Sequence, residues 1–289
     1  MTRAFSWFFS LVACAAFALL AVILVWQSAP IWPHEGWSYL TGARWFHRQQ
    51  EFGALPMIYG SLVVAIISLA LAAPLGFGAA ICIAEYLPRR PRLALKVLIE
   101  MLAGVPSVVY GLLGILLLRD WIYAVFANFD PLSGDTLLTA GVLLAVMVLP
   151  TIVSLSDDAL RTVPAAQRSA ARGLGLTRAE TVLAVVLPQA RRGLGAALLL
   201  GFGRALGETI AVFLVVGRQD NQLPSPWFSA RPLIEAGQTI TSKLGGSETN
   251  IAYGDPVHWA AIAGLALVLL FMTCAVTIVA TSWRRNAHA

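Results

Sequence analysis

Charge is scarce in this chain. Of 289 residues only 12% are Asp, Glu, Lys or Arg, against 58% hydrophobic. Soluble domains carry about 25% charged and about 45–50% apolar residues, so this composition excludes an ordinary water-soluble globule. Cysteine is rare too. Cys14, Cys82 and Cys274 are far apart and sit in apolar runs, which excludes a metal framework or a full disulfide set and leaves them as small packing residues. The four histidines, His34, His47, His258 and His288, all fall outside the apolar runs, so no metal-ligand cluster is expected. No Gly-x-x-x-x-Gly-Lys-Ser/Thr phosphate loop is present, so this chain is not expected to hydrolyse ATP itself. Low-complexity tracts and internal repeats are missing as well.

What the chain has is six apolar runs, at 5–26, 57–84, 97–118, 137–156, 194–217 and 259–282. Each has the length that a bilayer-crossing helix needs, about 20 residues. Their apolarity is nearly continuous rather than striped, the pattern expected in lipid. The expected fold is an all-α polytopic membrane protein with about six transmembrane helices. Residues 1–56 form a first helix and outer loop, and residues 57–285 a core. The first run is longer than the 7–15 apolar residues of a cleaved signal and reads as a retained span. The net charge of +5 concerns orientation rather than nucleic acid. With the N-terminus inside, thirteen basic residues lie on inner segments: Arg3, Arg89, Arg90, Arg92, Lys96, Arg161, Arg168, Arg172, Arg178, Arg191, Arg192, Arg284 and Arg285. Six lie outside: Arg44, Arg48, Arg119, Arg218, Arg231 and Lys243. That bias puts both termini in the cytoplasm. The outer segments 27–56 and 218–258 read as solvent-facing connectors.

The inner segment 157–193 carries helix punctuation. Pro164 suits a first helical turn, Ala165–Leu174 are good helix formers, and Gly175 can close the helix in a left-handed cap. Thr177 and Glu180 make a capping box, and a second apolar helix follows until Pro188. Two short helices joined by a tight turn suit a surface connector or a docking element for a soluble partner. Tethering at both ends argues against a DNA-binding helix-turn-helix.

The residues here resemble the coupling loop of binding-protein-dependent ABC transporter permeases. That pattern is Glu-Ala-Ala, three residues, Gly, nine residues, Ile, one residue, Leu-Pro. Ser169-Ala170-Ala171, Gly175, Val185 and Leu187-Pro188 reproduce every spacing, with Ser169 for Glu and Val185 for Ile. The Ser removes a charge from the docking surface. Glu100–Gly111 resembles the third-span signature of phosphate permeases, and Gly203–Val212 their fifth-span signature, in the PstC-type form. The resemblance covers roughly 52–285. It implies a type I ABC importer permease fold in a bacterial inner membrane. It also implies a PstA-like second permease subunit, a PstB-like ATPase dimer that binds ATP as the cofactor, and an external phosphate-binding protein. The coupling residues would be Ser169, Ala170, Ala171, Gly175, Leu187 and Pro188. A permease for another oxyanion (phosphonate, sulfate or molybdate) and the PstA-type subunit are the alternatives.

Within the spans, Arg204 and Glu208 stand out. A charge at the centre of a membrane helix costs about 2.5–3.5 kcal/mol on insertion scales, so such residues face a bundle interior or a watery path. Four residues apart, they are expected to pair on one helix face. They are then either a structural ion pair or a device for an anion, with Arg204 compensating its charge and Glu208 neutralising Arg204 between passages. Gly203 and Gly207 have the spacing that lets another helix approach. Thr209 and Ser107 offer hydroxyls, though buried hydroxyls also bond their own helix. Glu100 is expected one turn into span 3, paired with Lys96, and Pro106 marks a kink or break. Pro74, Gly76 and Gly78 suit either flexibility or close packing. An intramembrane enzyme would need a nucleophile with a base, or metal ligands, at that depth. The spans contain only Glu100, Arg204 and Glu208 as charges and no histidine. A sensor or scaffold without transport is the third class.

Overall fold

The computed structural model describes residues 2–221, 223 and 231–285. The side chains of 2–4 and 283–285 lie outside that description, and so do Arg3, Arg284 and Arg285 of the inner basic set and His288. Among the described residues six helices are long and apolar enough to cross a membrane. Spans 1 to 6 are Phe5–Ser28, Leu55–Tyr86, Ser107–Phe129, Leu137–Arg161, Arg178–Gly207 and Pro256–Ser282. Below, the near side is the one that carries the loop between spans 4 and 5, and the far side is its opposite.

Span 4 is the axis of the bundle, with spans 2 and 5 packed along it. Lipid offers apolar contact everywhere, so close packing rather than hydrophobic burial must hold these helices together. Small residues make that possible. A Cβ on Gly76 of span 2 would sit 2.7 Å from Ile152 Cγ2 of span 4, and one on Gly141 of span 4 would sit 2.5 Å from Ile67 Cγ2 of span 2. Gly76 is therefore a packing residue, whereas Gly78 faces open space and Pro74 lies inside an unbroken helix. Span 1 packs on span 6, and its apolar window has no buried residue. Cys14 and Cys82 are exposed rather than packed.

Two spans differ from expectation. The run 97–118 is not one helix. Arg89–Ala103 is a separate amphipathic helix, and the membrane-length helix starts at Ser107. The break is local chemistry: Pro106 has no N–H to donate and pushes Val105 away from helical geometry. Pro106 itself is extended (ψ 139°) and caps the helix that follows. Span 5 starts earlier than expected and ends earlier. Helix runs from Arg178 through Pro188 without interruption, because a wider π-turn at Val182–Val186 precedes the proline and Leu187 N–H reaches back to Val182. The helix then stops at Gly207, Glu208 is extended (ψ 124°), and a new helix, Ile210–Val215, begins.

The far-side segments are not solvent-facing connectors. Ile31, Tyr39, Trp45 and Phe52 from the first segment are buried with Ile240 and Ala252 from the second and Leu265 of span 6. Strands Trp45–Phe46 and Glu51–Phe52 form a small antiparallel hairpin within this cap. Aromatic side chains of the first segment and aliphatic ones of the second together build a second core, so the segments fold on each other and on the span ends. Polar bonds tie them: Trp45 Nε1 donates to Glu248 Oε1 (2.8 Å), and Tyr39 Oη donates to the Ala261 carbonyl (2.8 Å).

Candidate functional site: a broken-helix crossing and a near-side loop

The two broken helices lie side by side. Ile210–Val215 packs against Ser107–Leu113, and they cross at Gly111. A Cβ there would sit 2.5 Å from Leu214 Cδ1 and 3.3 Å from Ala211 Cα. Each helix starts at its break, so the first-turn N–H groups of both lack helical acceptors and carry the positive end of the helix dipole. Tyr110 bridges the first break, its hydroxyl donating to the Leu102 carbonyl (2.9 Å).

Arg204 sits in the last turn before the second break, exposed on the surface of this chain and in electrostatic range of Tyr110. The expected Arg204–Glu208 pair does not form. Glu208 is outside the helix, so the four-residue spacing no longer brings the two side chains together. Among the described residues neither is in an ion pair. Thr209 caps the new helix: its carbonyl accepts from Phe213 N–H (2.9 Å), and its hydroxyl is 3.4 Å from the Gly207 carbonyl. Ser107 is half-buried at the start of the neighbouring helix. The structure therefore brings Ser107, Arg204, Glu208 and Thr209 to the two breaks. Gly203 makes ordinary contact with Val276 of span 6, while among the described residues nothing approaches Gly207.

Glu100 is placed elsewhere than expected. It is exposed on the amphipathic helix, not within the apolar span, and Lys96 turns to Asp157 (3.6 Å) and Asp158 (4.0 Å) instead. Asp157 is 2% exposed and also binds Arg161 (2.8 Å) and Arg92 (3.8 Å). A buried carboxylate surrounded by three cations outcompetes the exposed Glu100 for the lysine.

On the far side, Gly245 touches Thr209, a Cβ there lying 3.1 Å from Thr209 Cγ2. The segment 238–248 thus covers the second break. Next to it a polar pocket of about 260 Å³ is lined by Phe213, Arg218, Asp220, Ser242, Lys243 and Glu248. Lys243 is buried and bonds Asp220 (2.7 Å) and Glu248 (3.3 Å), with the Trp45 ring 5.2 Å away. Burial pushes the Glu248 carboxyl up, but hydrogen bonds from Trp45 and His258 and the Lys243 charge outweigh it and hold Glu248 below its ordinary range.

The near-side loop has the expected local structure. Its first helix is Ala165–Gly173, Gly175 is left-handed (φ +89°), and the Thr177–Glu180 capping box is complete. Ser169, Ala170 and Gly175 are exposed, Ala171 is buried, Leu187 packs into the near-side core beside Val186 and Ala190, and Pro188 is exposed on span 5. Sequence reasoning passed over three residues here. Leu174 is 83% exposed at the tip of the loop, and Arg168 reaches Glu85, which is nearly buried. An apolar residue next to the left-handed Gly175 is a readable sign for Leu174. The pairing of Glu85 with Arg168 is a long-range contact without a local signal.

A model of the family described as binding-protein-dependent transport system inner membrane component matches residues 72–286. The chain belongs to this family. Among curated relatives, a phosphate transport system permease protein PstC of Mesorhizobium japonicum is 33% identical over 261 residues, covering 85% of this chain and 77% of that one. One of Haemophilus influenzae is 35% identical over 291 residues, covering 93% and 88%. Among solved structures, the MetNI methionine ABC transporter in inward-facing conformations superposes with a TM-score of 0.59 at 16% identity, over 80% of this chain and 94% of that one. An amino acid ABC transporter gives 0.52 at 19%, over 80% and 92%. At these identities the likeness is one of fold, that of ABC importer permeases of type I.

Proposed function

We propose that this chain is the PstC-type permease subunit of a phosphate ABC importer in a bacterial inner membrane. Its near side faces the cytoplasm with both termini. The observation that carries an anion path is the packing of two helices that each start at a break, with Arg204, which has no described counter-charge, in the turn before one of them. Unsatisfied N–H donors and a guanidinium suit phosphate oxygens. The PstC names of the relatives support phosphate over phosphonate, sulfate or molybdate, and the PstC-type over the PstA-type role. In this reading Glu208, on the extended residue of the same break and unpaired with Arg204, is a second polar group beside the path. Ser107 and Thr209 supply hydroxyls at the two helix starts, and Glu100 has a structural role on the amphipathic helix.

Arg204 and Gly207 face away from this chain, so a PstA-like subunit would close the path. A PstB-like ATPase dimer would dock on the loop around Ser169, Ala170, Leu174 and Gly175, bringing the energy of ATP. A phosphate-binding protein would deliver substrate at the far-side cap. The deciding experiment is phosphate uptake by Arg204→Gln at matched membrane levels. A hydrogen bond to a charged group contributes about 1.5–3 kcal/mol, so uptake should fall by about tenfold or more. Unchanged uptake would refute the anion role. Competition by phosphate but not by sulfate, molybdate or phosphonate is the expected selectivity.

A further inference from the structure

The near-side loop grips the rest of the chain at one short stretch. Arg168 of its first helix donates to Glu85 Oε1 through Nε (3.1 Å) and Nη2 (2.9 Å). Its other donors go to the carbonyls of Leu160 (2.8 Å) and Val163, at the end of span 4 and just beyond it. Arg178, in the first turn of the loop's second helix, stands 5.8 Å from the ring centre of Tyr86. Glu85 and Tyr86 are neighbours in the π-turn Cys82–Tyr86 that ends span 2. Two arginines from either side of Gly175 thus hold adjacent residues of one helix end. The Glu85 side chain is 4% exposed, and a buried carboxylate is strongly destabilising without its cation. Only a guanidinium has the fork that serves a carboxylate and two carbonyls at once.

Span 2 is fastened as firmly at its other end. Gly60 lies so close to Gln238 that any Cβ would collide with the Gln238 carbonyl. Ser61 Oγ accepts from Ile240 N–H (2.9 Å). Gln238 and Ile240 lead into the short helix Ile240–Leu244, and the next residue, Gly245, rests on Thr209 at the span 5 break. One helix therefore joins the loop, where an ATPase would push, to the cover over the broken-helix crossing. Between those ends its backbone stays helical through Pro74, and span 4 flanks it closely.

We propose that span 2 is a rod that carries motion of the near-side loop to the far-side cover, with Arg168 and Arg178 as positioning residues that form its grip. The proposal rests on the importer reading above. In it, a displacement of the loop moves Glu85 and Tyr86, the rod moves Gly60 and Ser61, and Gly245 shifts on Thr209.

The test uses the whole reconstituted importer in liposomes. Two quantities are read: phosphate transported per ATP hydrolysed, and labelling of Ser247→Cys by a membrane-impermeant maleimide from the far side. The background has Cys14, Cys82 and Cys274 replaced by Ala. In the parent complex, ATP with vanadate should change the labelling rate. In Arg168→Gln/Arg178→Gln, ATP hydrolysis should persist, uptake should be lost, and labelling should stop responding to nucleotide. Arg178→Gln alone removes only an exposed ring contact and keeps the complex assembled if the double variant does not assemble; it should lower the transport-to-hydrolysis ratio. An unchanged ratio with nucleotide-responsive labelling, in either variant that assembles, overturns the rod. Absence of ATP-driven phosphate uptake in the parent complex instead overturns the importer reading, and the rod with it.

Discussion

Leu174 projects from the tip of the near-side loop with 83% of its surface exposed. The neighbouring helix, Ala165–Gly173, carries Ser169 and no acidic residue. An apolar tip beside a helix without acidic residues suits insertion into a hydrophobic groove, and such anchors cost about 1 kcal/mol or more when truncated, up to about 4–8 at the strongest sites. Leu174→Asp is expected to reduce co-purification of the proposed ATPase partner several-fold while this chain's own membrane level stays constant. Glu248 makes a different prediction at the same scale. Its carboxyl is held below the ordinary value of 4.5, so it contributes stability that is fully present above that value and is lost as pH falls through the lower folded value. Hydrogen–deuterium exchange protection across 240–252, corrected for the intrinsic rate at each pH, should therefore fall on acidification below about 4.5, and Glu248→Gln should show the lower protection already at neutral pH. The Glu248–Lys243 contact was not readable from the sequence. Both residues lie in a segment that resembles a polar connector, and only Trp45, 203 residues from Glu248, reveals why they are buried.

The two broken helices are the element-scale feature. Val105-Pro106 announces the first break in any sequence. The second break has no proline. Gly203 and Gly207 lower helix stability before it, and β-branched Thr209 and Ile210 follow, but those residues are equally compatible with one continuous helix. What decides is the neighbour: Ile210–Val215 must turn to lie on Ser107–Leu113, and the Gly111 crossing allows contact only if the chain breaks at Glu208–Thr209. Gly111→Val should therefore be felt. Overpacking a close crossing costs about 1–3 kcal/mol, and the expected result is a lower melting temperature of the purified chain in detergent together with reduced uptake. The same break explains why the Arg204–Glu208 spacing, read as a helical pair, does not produce one.

At the scale of the whole molecule, one face is left without a partner. Among the described residues Arg204 is exposed and Gly207 faces empty space. A guanidinium facing lipid is costly, so this face belongs against protein or a watery path. Gly207→Trp separates the two kinds of role. It adds bulk where, beyond its own helix backbone and chain neighbours, no described atom lies within 4 Å of a Cβ, so the melting temperature of the isolated chain should hold, while phosphate uptake by the assembled importer should fall. The six spans, the capping box at Thr177 and Glu180, the left-handed Gly175 and the coupling pattern were legible in the sequence alone. Each depends on apolar length, on residues within one or two helical turns or on spacing along the chain, and none of these needs a tertiary contact. The break in span 5, the far-side core, the exchange of Glu100 for Asp157 as partner of Lys96, and the grip of Arg168 on Glu85 were decided by tertiary structure. They join residues far apart in the chain, Tyr39 with Ala261 across 222 positions and Glu85 with Arg168 across 83, and only the packing of the spans and far-side segments places those groups within reach of one another.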